Sequence, residues 1–129
     1  MGIQNENRKE SESIFSSYMR EQFRKKGITQ QEIFRAANIS EKYGYKLISG
    51  EKHTKQRDQI VKICLSARFD ILETDRALML YGMSPLYKGN PRDVVLIRAF
   101  EKHMYEVCDV NDNLEKAGFN KLYESGRKE

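Results

Sequence analysis

The sequence predicts an all-α protein of about seven helices. Apolar residues recur at intervals of three and four through most of the chain, which is the spacing of an amphipathic helix. Glycine or asparagine follows several of these periodic segments, at positions where helices commonly end. The usual signal of a β-hairpin, alternating β-branched and polar residues beside a tight turn, does not occur in the sequence.

The first two helices are indicated by their apolar faces and by their end signals. The first is predicted over about residues 11–26 and ends at Gly27. Its apolar face comprises Ile14, Phe15, Tyr18, Met19 and Phe23. A second helix begins at Thr29, because Thr29 and Glu32 have the spacing of a capping box. Its apolar face comprises Ile33, Phe34 and Ala37.

A short turn joins the second helix to a third. Asn38 suits a left-handed turn, since asparagine adopts a positive φ more readily than most residues. Ser40 is the expected cap of the third helix, which covers about residues 40–50 and ends at Gly50. Gly44 lies inside this helix and costs about 1 kcal/mol relative to alanine, so a short or bent helix is expected.

Four further helices follow. The apolar residues that define the fourth are Ile60, Ile63, Cys64 and Ala67. Asp70, Asn90 and Asp109 are the expected caps of the fifth, sixth and seventh helices. Pro91 follows Asn90, as is common at the first position of a helix.

The second half of the chain contains a candidate internal repeat. Arg57-Asp58 and Arg92-Asp93 each precede an apolar helix, and Leu86-Tyr87 and Leu122-Tyr123 each close a segment behind a glycine. The offset is 35 residues at the first pair and 36 at the second, so one residue is inserted between them. Each unit is predicted to be a long helix, a short helix and a Leu-Tyr anchor. Two such hairpins packed side by side would bury continuous apolar faces, with the Arg-Asp pairs at helix starts forming an inter-helix ion pair. Coincidence remains the alternative to repetition.

Basic residues are concentrated in the first half of the chain. Residues 1–62 carry 13 Lys and Arg against 8 Asp and Glu, whereas residues 63–129 carry 10 against 11. A basic excess beside the short turn favours a polyanionic partner, and a solvated surface of mixed charge is the simpler alternative.

Neither cysteine lies in a disulfide or metal-binding pattern. Cys64 and Cys108 each fall in an apolar helical pattern without a cysteine or histidine companion, so both are predicted to be buried, reduced thiols. No apolar run approaches the ~20 residues of a membrane span, and the first ten residues are too polar for a signal peptide. These features predict a soluble, cytoplasmic protein without a metal or cofactor.

Residues 29–50, TQQEIFRAANISEKYGYKLISG, resemble the helix-turn-helix of the Cro/phage-repressor (lambda repressor-like) family. The spacing from the Thr-Gln pair to the closing glycine is the same as in that family, without insertion or deletion. Residues 1–10 lack apolar periodicity and are expected to form a disordered lead-in. The resemblance implies a five-helix DNA-binding domain over 11–72 and a C-terminal helical extension over 73–129. Similar chains are bacterial transcriptional regulators.

The resemblance implies that the third helix enters the major groove of double-stranded DNA. The expected DNA-binding residues are Gln30, Ser40, Glu41, Lys42, Tyr43, Tyr45, Lys46, Lys52, Lys55 and Arg57. Bases are read in this family from the positions of Glu41, Lys42 and Lys46. Lysine can donate to guanine, and glutamate can accept from cytosine N4.

The remaining residues in this set are expected to support the contact. Gln30 matches a position that binds phosphate and braces the first recognition residue. The three basic residues just past the third helix are expected to contact the DNA backbone. Tyr43 and Tyr45 lie on the expected DNA-binding face, where phosphate contact and packing are equally open.

Two positions depart from the family pattern. Phe34 stands where the family has alanine, and Gly44 stands where it has isoleucine or valine. The phenyl ring is therefore expected to fill the space that Gly44 leaves. Glu41, at a leading base position, opposes the approach of phosphate. The alternative function is a degenerate helix-turn-helix that acts as a protein-interaction module without binding DNA.

Other functions have weaker support in the sequence. His53 and His103 are 50 residues apart and belong to no catalytic or metal-ligand spacing, so an enzyme is not expected, and no small-molecule ligand is evident. A homodimer is possible, since paired recognition helices fit paired half-sites. The apolar residues that could form its interface are Val94, Val95, Ile97, Phe100, Met104 and Val107. Packing of all six inside one subunit is equally compatible with the pattern.

Overall fold

The computed structural model describes residues 13–124, and within this span the chain forms seven helices and no strand. The helices are α1 (Ile14–Lys26), α2 (Gln30–Ala37), α3 (Glu41–Ser49), α4 (Arg57–Ser66), α5 (Ile71–Leu80), α6 (Pro91–Glu101) and α7 (Val107–Lys116). The predicted all-α class and the number of helices are confirmed. The lead-in over residues 1–10 and the end of the predicted extension, residues 125–129, lie outside the described span.

The helix caps follow the sequence signals closely. At the start of α2 the Thr29 hydroxyl accepts from the Glu32 amide at 3.1 Å, and the Glu32 carboxylate accepts from the Thr29 amide at 2.9 Å. This reciprocal capping box lowers the pKa of the Glu32 carboxyl, because the backbone hydrogen bond favours its charged form. Asp70 caps α5 in the same way, and Asn90 caps α6 by accepting from the amide of Asp93.

Two predicted helix starts are wrong. α1 begins at Ile14 instead of near residue 11, because the Ser13 hydroxyl caps it by accepting from the Ser16 amide. α7 begins at Val107 instead of after Asp109, which lies in its first turn. Val107 already packs against the core on the same helix face as buried Val110, so the helix extends back to it.

One hydrophobic core runs through all seven helices, and α4 lies at its centre. Residues 59–67 are all buried, since α4 packs against both α2 and α5. Cys64 lies in this core as predicted, and burial raises the pKa of its thiol. Two expected core residues are instead on the surface: Cys108 is exposed on α7, and Ile14 is 70% exposed at the start of α1.

The two repeat units are joined by a pair of crossed ion pairs. Arg57 of the first unit donates to Asp93 of the second, and Arg92 of the second unit donates to both carboxylate oxygens of Asp58 at 2.9 and 3.1 Å. The predicted inter-helix ion pair is therefore confirmed, twice over. If translation alone related the two units, Arg92 of the second unit would pair with an aspartate of a third unit and not with Asp58 of the first. The reciprocal pairing instead relates the two units by an approximate two-fold axis.

The equivalence extends to the hydrogen bonds of the connecting segments. Asp93 accepts from the Tyr87 amide at 3.0 Å, and Asp58 accepts from the Tyr123 amide at 2.8 Å. Each arginine also donates to two backbone carbonyls ahead of its unit's Leu-Tyr pair. Because these contacts match one by one, the internal repetition is structural as well as sequential.

The units also differ from the expected pattern in two respects. Their helices have nearly equal lengths, 10 and 10 residues in the first unit and 11 and 10 in the second, instead of one long and one short helix. Leu86 and Leu122 are buried anchors, whereas Tyr87 is 67% exposed. The extra residue of the second unit lies in the turn between α6 and α7, where Tyr105 has no counterpart.

Removing Asp58 should destabilise the whole chain. We expect Asp58→Ala to lower the free energy of unfolding by about 2 to 4 kcal/mol, because Arg92 and the Tyr123 amide lose their acceptor together. Chemical denaturation monitored by circular dichroism measures the loss. Glu21→Ala is the matched control, since solvent screens the exposed Arg24–Glu21 pair and its loss should leave the free energy of unfolding nearly unchanged. A loss below about 1 kcal/mol for Asp58→Ala would show that the crossed pairs do not join the units.

Candidate functional site

A short connection over residues 38–40 joins α2 to α3. Asn38 adopts the predicted left-handed conformation, with φ 59°, and Ile39 after it is buried beneath the turn. Ser40 caps α3 by accepting from the Tyr43 amide at 3.2 Å, and Gly50 ends the helix in a left-handed conformation. α3 is a continuous helix of 9 residues despite the glycine inside it.

Phe34 and Gly44 share one space where α2 and α3 cross. Both residues are buried, and a Cβ atom added at Gly44 would lie 2.5 Å from Cγ of Phe34. The phenyl ring therefore occupies the volume that a side chain at residue 44 would need. The expectation that the two departures compensate each other is confirmed.

The outward face of α3 carries most of the expected recognition residues. Glu41, Lys42 and Tyr45 are exposed, and Lys46 is half-buried. Tyr43 differs, because it is 8% exposed and packs in the core. Tyr43 therefore packs largely in the core, but it also lines the lysine depression described below, so a DNA contact by Tyr43 stays a prediction. At about 100° per residue, Tyr43 is rotated by one step from exposed Lys42 and by two steps from exposed Tyr45.

A glutamine bridges the two helices of the motif, one residue from the expected position. Gln31 Nε2 donates to Glu41 Oε2 at 3.1 Å, which fixes the carboxylate at the start of α3. Gln30, the predicted brace, is the half-buried first residue of α2. Gln30 and Gln31 are adjacent in the sequence, and only the rotation of α2 about its axis decides which of them faces Glu41.

Three lysines converge on one shallow depression at the start of α3. Lys42, Lys46 and Lys52 line it together with Ser40 and Tyr43, and it measures about 260 Å³. Lys52 is held there because its amide donates to the Lys46 carbonyl at 3.0 Å. One acidic group lies close by: Glu51 is 3.8 Å from the Lys46 ammonium. The depression nevertheless presents a surplus of positive charge of the kind that binds an oxyanion.

Of the two basic residues expected next, only one faces solvent. Lys55 is exposed, whereas the Arg57 guanidinium points inward to Asp93 and the carbonyls of Ser84 and Pro85. Arg57 is thus engaged within the protein, although its side chain is 26% exposed, and the phosphate contact expected of it stays a prediction. An arginine with a buried carboxylate partner gives up that pairing only at high cost.

The loop after α3 is held by a residue that the sequence did not single out. The Tyr81 hydroxyl accepts from the Thr54 amide at 2.9 Å, and the His53 ring stacks on the Tyr81 ring at 4.4 Å. These contacts fix the loop that carries Lys52 and Lys55. The contact spans 27 residues and has no local sequence signal, so only the tertiary structure reveals it.

The described residues offer no second chemical centre of an obvious kind. No group of three or more His, Cys, Asp or Glu between residues 13 and 124 is arranged to hold a metal ion. None of the helices in that span has both the length and the apolar character needed to cross a lipid bilayer.

Comparisons with protein-family models, with curated proteins and with solved structures find no match to this chain.

The shared space of Phe34 and Gly44 is testable by a double-mutant cycle. We expect Gly44→Ile to destabilise the protein by about 1 to 3 kcal/mol, because the new side chain meets the phenyl ring. Phe34→Ala alone should cost about 3 to 5 kcal/mol through the cavity it leaves. The combined variant should recover much of both losses in thermal or chemical denaturation. Strictly additive losses would show that the two positions do not share a space.

Proposed function

We propose that the protein binds double-stranded DNA in a sequence-specific manner and regulates transcription, with α3 as the recognition helix. The observation that carries this proposal is the convergence of Lys42, Lys46 and Lys52 on one depression beside the start of α3. Phosphate is the ligand such a cluster suits, and phosphate contacts fix the register of a protein on a duplex. The resemblance of residues 29–50 to the Cro/phage-repressor family supports the same function.

Base readout in this proposal comes from the exposed first turn of α3. Glu41 and Lys42 are exposed there, next to the phosphate-binding depression. Glu41 accepts from Gln31, which holds its carboxylate in one orientation toward the groove. A carboxylate in the major groove accepts from the exocyclic amine of cytosine, so Glu41 selects a cytosine at one position.

The depression supplies the first test. We expect the combined Lys42→Ala, Lys46→Ala and Lys52→Ala variant to bind duplex DNA with a log-log salt slope shallower by about 2 to 3, one contact being worth about 0.9. Titration of a fluorescent duplex at several salt concentrations measures the slope. Lys88→Ala, Lys102→Ala and Lys116→Ala together remove the same charge from exposed sites elsewhere and form the matched control. If both triple variants lowered the salt slope equally, net charge alone would explain the binding, and the depression would not be a specific phosphate site.

Glu41 supplies the test of sequence readout. We expect Glu41→Gln to move the preference at one base position from cytosine to adenine, because glutamine pairs with N6 and N7 of adenine. Selection of bound sequences from a random duplex pool measures the preference of each form. Unchanged preference would remove Glu41 from base readout and leave the phosphate contacts intact.

A second candidate function is a protein-interaction module that binds no DNA. It is favoured by the exposed carboxylate of Glu41, which opposes the approach of phosphates to the first turn of α3. The two functions separate at low salt, where phosphate contacts are strongest. Failure of the unaltered chain to bind any duplex there would contradict the DNA-binding proposal and favour the module.

A further inference from the structure

The two repeat units provide an internal comparison of their helix pairs. α4 corresponds to α6 with an offset of 35 residues, and α5 corresponds to α7 with an offset of 36. The equivalent Arg68 and His103 both adopt a left-handed conformation, with φ 62° and 57°. The equivalent Asp75 and Asn111 both accept from the amide of their unit's buried leucine anchor. A space that is filled in one unit can therefore be located in the other.

In the first unit, α1 covers the side of the α4–α5 pair on which Phe69 and Tyr81 lie. The Phe15 ring meets the Tyr81 ring edge to face, with centroids 4.7 Å apart. The Tyr18 and Phe23 rings lie 6.4 and 6.1 Å from the Phe69 ring. The first unit thus buries this side under a helix that supplies three aromatic rings.

The second unit leaves the equivalent side open. A groove of about 350 Å³ lies there between α6 and α7. The apolar floor of this α6–α7 groove consists of Val95, Ala99, Met104 and Ala117. Met104 and Ala117 are the equivalents of Phe69 and Tyr81, which α1 contacts in the first unit. Within residues 13–124, no counterpart of α1 covers the groove.

The rim of the α6–α7 groove is positively charged. It carries Arg98, Lys102 and Lys116, all exposed, at positions where the first unit has apolar residues. None of the described residues that line the groove is acidic, and no ion pair within residues 13–124 engages the three cations. Charges that only keep a surface in solution usually mix both signs. A rim of one sign around an apolar floor instead suits a ligand that is both apolar and anionic.

We propose that the α6–α7 groove binds an amphipathic helix of a partner protein, with large apolar side chains on one face and acidic residues beside them. The precedent is α1, which occupies the equivalent place in the first unit. The acidic flanks follow from the rim, because carboxylates at the edges of the bound helix would pair with its three cations.

Segments of this chain itself match the groove poorly. α1 carries four basic residues and one acidic residue, so α1 of a second copy would bring like charge to the rim. Residues 1–12 contain only Met1 and Ile3 as large apolar residues, too few for the apolar face of a helix.

The homodimer interface expected from the sequence is also largely occupied. Ile97 and Phe100 of α6 are 6% and 1% exposed, and Val107 packs against the core. Val95 and Met104 line the α6–α7 groove. The groove is therefore the place where the apolar residues of this set remain open to a partner.

A matched pair of peptides tests the proposal on the full-length protein. Both copy the 13 residues of α1, and a hydrocarbon staple between the positions of Ser17 and Glu21, which are exposed in α1, keeps them helical. The acidic peptide has glutamate in place of each of the four basic residues, and the basic peptide keeps them. Fluorescence anisotropy measures the binding. We expect a micromolar dissociation constant for the acidic peptide and at least about tenfold weaker binding of the basic one.

Variants of the rim connect this binding to the groove. Arg98→Glu, Lys102→Glu and Lys116→Glu together should weaken the acidic peptide at least about tenfold and strengthen the basic one, because the sign of the rim is reversed. The thermal melt should change little, since all three sites are exposed.

A matched control separates the groove from net charge. Lys25→Glu, Lys55→Glu and Lys88→Glu together make the same change of charge at exposed sites elsewhere and should leave both peptide affinities nearly unchanged. Ala117→Arg tests the floor without adding negative charge. Its long side chain should obstruct the groove and weaken the acidic peptide.

Three outcomes would overturn the proposal. The first is no binding of the acidic peptide even at millimolar concentration, which includes the case of a groove covered by another segment of the chain. The second is equal weakening by both triple variants. The third is a rim variant that leaves peptide binding intact and lowers the salt slope of duplex binding below that of its control, which would assign the rim to nucleic acid. The peptide measurements involve no DNA, so this proposal and the DNA-binding proposal fail separately.

Discussion

The crossed pairs between Arg57 and Asp93 and between Arg92 and Asp58 set the geometry on which the rest of the chain depends. Each carboxylate accepts from the arginine of the other unit and from a backbone amide of a connecting segment. A partly buried ion pair offsets its desolvation only when its remaining hydrogen-bonding sites are also satisfied. The backbone carbonyls and amides around these four residues supply those bonds, so the pairs specify the orientation of the units as well as joining them.

The crossed pairs also affect the position of α2 and α3, because they fix α4. Asp58 and Arg57 lie in its first turn, and the same helix packs against α2 along its length. α5 adds a second support, because Tyr81 at its end holds the loop after α3. The hydroxyl of Ser16 on α1 donates to the carbonyl of Ile48, which fixes the end of α3 from the other side. α3 is thus positioned by contacts with α1 and α2 and by the loop that Tyr81 holds, as well as by the turn.

These contacts also show that α4 and α5 take part in two arrangements. They complete the five-helix arrangement expected of the first part of the chain, and they form the first unit of the two-fold repeat. The boundary expected after residue 72 falls within α5. A cut at that point would divide a continuous helix and expose the inner faces of both units.

Most of the fold was predictable because its signals are local. The capping box at Thr29, the left-handed Asn38 and the caps at Asp70 and Asn90 each depend on three or four neighbouring residues, and all are confirmed. The role of the Arg-Asp pairs was predictable because the same dipeptide occurs at the start of both repeat units. The sequence distinguished the candidate site less well. Residues such as Tyr43 and Arg57 have the chemistry of DNA contacts, and only the tertiary structure shows that Tyr43 packs largely in the core and that Arg57 pairs with Asp93.

The packing of the large Phe34 side chain against Gly44 shows how the core can affect a surface residue. The phenyl ring that fills the space above Gly44 also meets the Tyr45 ring edge to face, with centroids 5.1 Å apart and planes at 84°. Tyr45 is 44% exposed on the outward face of α3. An isoleucine at residue 44 with an alanine at residue 34 would fill a similar volume and remove this edge contact. This packing therefore does more than fill volume, because the phenyl ring also contacts an aromatic ring beside the residues proposed to contact DNA.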